Sequence, residues 1–160
     1  MIIISGAQIG VDRAALDAAM ASGHIDPEFM GWCPAGRRAR DGVIPAKYVM
    51  CEHASAAYPP RTEQNVRDAD VTLVLGDGGA SGGTALTLRY CRELGKLHTF
   101  IDILCCNDLA AQRIARWLFN SGVTVLNVAG PGRDELYKSA RSFVHNLLLE
   151  YDQLLEQHDG

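Results

Sequence analysis
A chain of 160 residues with 48% hydrophobic and 21% charged residues has an ordinary globular composition, long enough to bury roughly 70% of its unfolded surface. A net charge of −4 argues against a general nucleic-acid binder. The opening MIIISG is too short for a signal-peptide core or a membrane span. Five cysteines without a CxxC pair, and histidines at no metal-ligand spacing, argue against zinc. The expectation is a cytoplasmic protein with reduced thiols and no membrane or nucleic-acid partner, with Cys105 and Cys106 filling apolar space.

Ile2, Ile3 and Ile4 read as a buried strand, followed by SGAQIG and a helix over Val11–Ser22. Val11, Ala14, Ala15, Leu16, Ala18 and Ala19 supply its packed face. The G-x-x-x-G spacing of Gly6 and Gly10 resembles a dinucleotide fingerprint only loosely. Asp12 suits the positive end of the helix, whereas Arg13 opposes the dipole and makes sense with an anion in front of it. Residues 29–32 read as extended and lead into CPAGRRARDG. That loop is either a solvated charge run or a clamp in which Arg37 or Arg38 grips a phosphate or carboxylate. Trp32 is read as core, or as a ring that stacks on a planar ligand.

Residues 48–51 form a further short strand, and Tyr58-Pro59-Pro60 breaks the chain before the helix RTEQNVRDAD. Arg61, Thr62, Asn65 and Asp68 share one polar face of that helix. Residues 71–75, VTLVL, are a β-branched apolar run of the kind buried on both faces. They end in GDGGASGGT and a helix in which Leu86, Tyr90 and Leu94 recur, closed by Gly95. A strand, a glycine-rich loop and a helix N-terminus make an anion site, because glycines admit a phosphate to the unpaired first-turn amides. The alternative is a tight turn with nothing bound. A strand over 98–103 follows, then a helix from Asn107 or Asp108 to Asn120, a strand over 123–128, and a third glycine loop, AGPGR. Residues 134–157 read as one long helix, and 158–160 as a loose tail. Its stripe, widened by Tyr137, Tyr151 and Leu155, predicts a homo-oligomer.

Alternating strands and helices imply a single α/β domain over residues 1–157, Rossmann-like and doubly wound. Its mainly parallel sheet is covered by helices on both faces. Three glycine loops then meet at the strand C-termini, where open α/β sheets bind ligands. The candidate binding residues are Gly6, Gln8, Gly10 and Arg13 in the first loop and helix, and Arg37 and Arg38 in the arginine loop. Gly79, Ser81, Gly82, Gly83 and Thr84 belong to the central loop, and Asn127, Gly130 and Arg133 to the last. No metal ligand and no catalytic residue is assigned.

SGAQIGVDRAALDAA, GWCPAGRRARDGVIP, RTEQNVRDAD, SGGTALT and LNVAGP together resemble the molybdenum cofactor carrier protein family. That family lies within the Rossmann-like group that includes the lonely-guy phosphoribohydrolases. The resemblance runs from Ser5 to about Arg133 and implies a carrier of a phosphorylated pterin or a nucleotide-like ligand, often as an oligomer. Two positions depart from the group. Where the hydrolases resemble P-G-G-x-G-T-x-x-E, Thr87 stands at the place of the glutamate and cannot act as a carboxylate acid or base. Gly132 also separates Pro131 from Arg133, which puts the reach of Arg133 in question. Three readings follow: a carrier or sensor for a phosphate-bearing pterin or nucleotide, which is preferred; an N-glycosidic hydrolase using Asp12 or Asp77; and a structural subunit whose glycine loops are only turns.

Overall fold
The structure, a computed structural model, describes residues 1–160, the side chain of Asp108 apart. The elements run β1 (Ile2–Ile4), α1 (Val11–Ser22), β2 (Trp32–Cys33), β3 (Arg38–Ala39), β4 (Gly42–Val43) and β5 (Cys51–Glu52). They continue with α2 (Tyr58–Asp68), β6 (Val71–Gly76), α3 (Gly82–Glu93), β7 (Leu97–Asp102), α4 (Asp108–Asn120) and β8 (Val125–Ala129). A 3₁₀ turn (Asp134–Leu136) leads into α5 (Tyr137–Asp159).

The central sheet has the order β1-β8-β6-β7 and is parallel throughout. All six residues of β6 are buried, as the VTLVL run requires of a strand covered on both faces. The free edge of β1 is not left open. Ile3 donates to the His24 carbonyl (2.8 Å) and Ser5 to that of Met30 (3.0 Å), and the chain there leads into β2, which pairs in parallel with β5. The crossover from β6 to β7 moves outward and the one from β7 back to β8 moves inward. Right-handed connections therefore place α3 and α4 on opposite faces. Helix α2 packs on α3, and α5 packs on both α4 and α1, so the sheet is doubly wound and Rossmann-like.

Several details differ from the sequence reading. Pro59 and Pro60 do not precede α2 but sit in its first turn, where a missing amide proton costs nothing. The arginine loop folds into the small antiparallel pair β3–β4, too short for any periodicity to announce. Helix α5 continues through Asp159. Tyr137 and Tyr151 do not widen its outer stripe: Tyr151 is buried and the Tyr137 hydroxyl donates to Asp17, leaving Leu149 and Leu155 exposed. Cys105 is exposed rather than space-filling. No disulfide is recorded among the described residues, and none of their helices is long and apolar enough to cross a membrane.

Candidate functional site
The loops after β1, β6 and β8 open into one cleft of about 1170 Å³. It lies where the connections after β6 and β8 leave toward opposite faces, the switch point at which such sheets bind ligands. The cleft lining includes Gly6, Gln8, Arg38, Gly79, Ser81, Gly82, Gly83, Thr84, Asn127, Gly130 and Arg133. Eleven of the fourteen residues named from the sequence therefore lie together.

Helix α3 begins at Gly82 with Ser81 at its N-cap, and Ser81 makes no side-chain capping bond. The Thr84 amide turns back to the Ser81 carbonyl (3.1 Å). The first-turn amides of Gly82 and Gly83 precede any intrahelical acceptor, and both residues line the cleft. A Cβ added at Gly79 or Gly83 would meet nothing within 4 Å, and neither residue has a left-handed φ. Glycine in a first helical turn forfeits up to about 1 kcal/mol of helix propensity, and nothing in the fold requires it at Gly83.

Gly6 has a different role. A Cβ there would lie 1.7 Å from Nη1 of Arg61 and 2.8 Å from Oδ2 of Asp12. Its bare Cα makes room for a guanidinium supplied by α2, not directly for a ligand. Gly10 faces the backbone of Pro131 and Arg133, and Gly130 is wedged between the Leu75 carbonyl and Val11. Both hold the first and last loops together.

Three expected contacts to a ligand are otherwise placed. Gly10, Arg13 and Arg37 do not line the cleft. Arg13 does face an anion, but that anion is Asp41 of the arginine loop, gripped through both Nη atoms (2.6 and 2.9 Å). Arg37, at φ 53°, donates to the carbonyls of Ile44, Pro45 and Tyr48. The same loop is tied down by Gln8 Nε2 on the Arg38 carbonyl (3.0 Å) and Arg40 on the Gly132 carbonyl (3.0 Å). Trp32 stays outside as well, its indole donating to Asp68 (2.6 Å), and Asn65 pins its backbone by accepting at 2.8 Å and donating at 3.0 Å. Arg133 reaches the cleft despite Gly132 and pairs with Asp77. Asn127 is buried, with Nδ2 on the Thr72 hydroxyl (3.3 Å).

The pair that sequence reasoning missed is Asp12 and Arg61. Both side chains are nearly buried and their ion pair is long, 3.8 Å. Burial raises the Asp12 carboxyl to about 6 against the opposing pull of Arg61. Among the described residues, Arg61 Nε is buried with no hydrogen-bond partner; beyond Asp12, the guanidinium lies over the Tyr58 ring at 5.6 Å. An arginine on the polar face of a helix carries no local sign that its partner sits 49 residues earlier. Gly6 gave no distinguishing signal, since Gly79, also in a loop, has nothing against it.

A parallel Rossmann-like sheet with three loops converging on a basic, glycine-edged cleft defines a small-ligand-binding α/β domain. A family model, that of the circularly permutated YpsA SLOG family (cpYpsA), matches residues 3–148, and the chain belongs to that family. It is similar to the crystal structure of a "Putative molybdenum carrier protein" from Syntrophus aciditrophicus SB. Identity is 37% over 93% of this chain and 92% of that one, with a TM-score of 0.82. No curated protein matches the chain.

Proposed function
We propose that this chain is a carrier for a phosphate-bearing small molecule, a pterin of the molybdenum-cofactor type or a nucleotide, with the phosphate on the N-terminus of α3. The observation that carries this reading is glycine at positions 79 and 83, where the fold itself has room for a side chain. Backbone approach to an anion supplies the missing reason. The molybdenum carrier name of the similar crystal structure supports a carrier role. The test is mass spectrometry of small molecules released from the purified protein. A phosphorylated compound at near-equal stoichiometry is expected; a folded protein that retains none and binds neither nucleoside monophosphates nor pterin phosphates would refute the reading.

A second reading, hydrolysis of a nucleotide N-glycosidic bond, is favoured by one observation. Asp12 lines the cleft with its carboxyl raised to about 6, a value suited to acid–base work. Thr87 does not replace the missing glutamate, since its hydroxyl donates to the Gly83 carbonyl (3.0 Å). Free base released from adenosine or guanosine monophosphate, and lost in Asp12→Asn, would select this reading over the carrier. For assembly, the exposed Leu109, Leu149 and Leu155 support a homo-oligomer, which a monomeric mass by light scattering would exclude.

A further inference from the structure
Arg61 is a guanidinium with too few partners for its depth. Its side chain is 12% exposed, it makes one long ion pair, and its buried Nε has no acceptor. Buried donors are almost always satisfied, and an arginine offers five in a fork shaped for oxyanions. Gly6 stays bare so that the group can lie there. The rest of the guanidinium borders the cleft.

We propose that Arg61 is a receptor for an oxyanion of the ligand, at the buried floor of the cleft, and that Asp12 takes up a proton from water when that oxyanion arrives. The inference rests on the cleft binding a phosphorylated molecule and names the side chain that receives an oxyanion of it.

The coupling follows from the geometry. Asp12 Oδ2 accepts from the Gln8 amide (3.3 Å) and stands 3.8 Å from Arg61, so an incoming anion must share that cation with a carboxylate. Burial already disfavours the charged carboxylate, and a second negative charge beside it disfavours it further. Protonation leaves Arg61 wholly to the ligand. The other groups facing the pair do not replace Asp12. Cys33 of β2 is held neutral by burial, Tyr58 presents its ring to Arg61, Asp77 is engaged by Arg133, and Arg38 and Arg40 add positive charge around the cleft. Binding is therefore tighter at low pH and weakens as pH rises above the Asp12 value of the free protein.

The probe is sulfate, which does not titrate in this range, followed by nitrogen-edited NMR of the Arg61 Nε–H and the Gly82 and Gly83 amides. Carbon detection reports the Asp12 carboxyl in the same samples. Sulfate is expected to shift the Arg61 Nε–H and to raise the Asp12 titration midpoint. Its affinity at Arg61 should fall about tenfold between about pH 5.5 and about pH 7.5 in the wild type, and less than about twofold in Asp12→Asn. An Arg61 signal that stays still while the glycine amides move would overturn the inference and leave the phosphate cradle standing. Unmoved glycine amides would count against the cradle alone. An unchanged Asp12 midpoint in sulfate-saturated wild type would overturn the proton uptake, even if Asp12→Asn failed to fold.

Discussion

The guanidinium of Arg61 lies directly against the Cα of Gly6, close enough that a single methyl group at Gly6 would collide with it. Gly6→Ala is thus expected to push Arg61 out of its seat, because the neighbouring backbone of β1 and α1 cannot give way cheaply. The cost should be about 1–3 kcal/mol of stability, read from urea unfolding. A variant as stable as the parent, with an unmoved Arg61 Nε–H signal, would show that the contact is slack.

Asp12 makes a pH-dependent contribution of unusual sign. Its folded value of about 6 lies above the ordinary 3.8, so the native state holds the proton more tightly than the unfolded chain. Stability from this group is therefore full below pH 3.8 and is lost as pH rises to about 6; the shift is worth about 3 kcal/mol. Asp17, Asp41 and Asp70 pull the other way, their carboxyls lowered in the fold. For them stability is present above the ordinary value and lost as pH falls. Those terms cancel when wild type is compared with Asp12→Asn. The difference in unfolding free energy should move toward the asparagine variant by about 2–3 kcal/mol between about pH 4 and about pH 7; parallel curves would refute the assignment.

Gly83→Val tests the phosphate cradle without disturbing the core, since the added Cβ meets only open space. The folded variant is expected to lose nucleoside monophosphate or pterin phosphate binding by calorimetry, by about ten- to a hundredfold if one charge-assisted contact is lost. Undiminished affinity would remove this loop from the site.

Arg13→Ala should act on the arginine loop and leave ligand affinity nearly unchanged. Its partner Asp41 is substantially exposed, so after allowance for solvent screening the lost pair is worth roughly 0.5–1 kcal/mol. The readout is trypsin cleavage after Arg37, Arg38 or Arg40, expected to accelerate in the variant. A resistant loop combined with a large loss of affinity would return Arg13 to the site.

How much could be read from sequence depended on whether the signal was local. The run 71–75, the glycines after it and the helix that follows announce themselves within twenty residues, and β6, the loop and α3 stand where expected. Arg13 at the start of α1 does face an anion, a carboxylate of its own chain. Its supplier, Asp41, lies 28 residues on, and no helix-dipole argument can choose between a ligand and the chain's own carboxylate. Arg38 and Arg37 are neighbours with opposite fates because Arg37 turns left-handed and spends its donors on carbonyls of the following segment. The Asp12–Arg61 pair was invisible because each residue has an adequate local excuse, one at a helix start and the other on a polar helix face.

The register of the sheet also bears on how the chain comes together in time. Residues 2–4 pair with residues 125–127, so β1 cannot take its place in the sheet until β8 has been made. The segment from β6 through α3 to β7 pairs within itself and can assemble early, while β1 waits for β8 to arrive between it and β6. Contacts of such separation slow folding. Until β8 is made, the apolar Ile2–Ile4 segment has no strand of the central sheet to pair with.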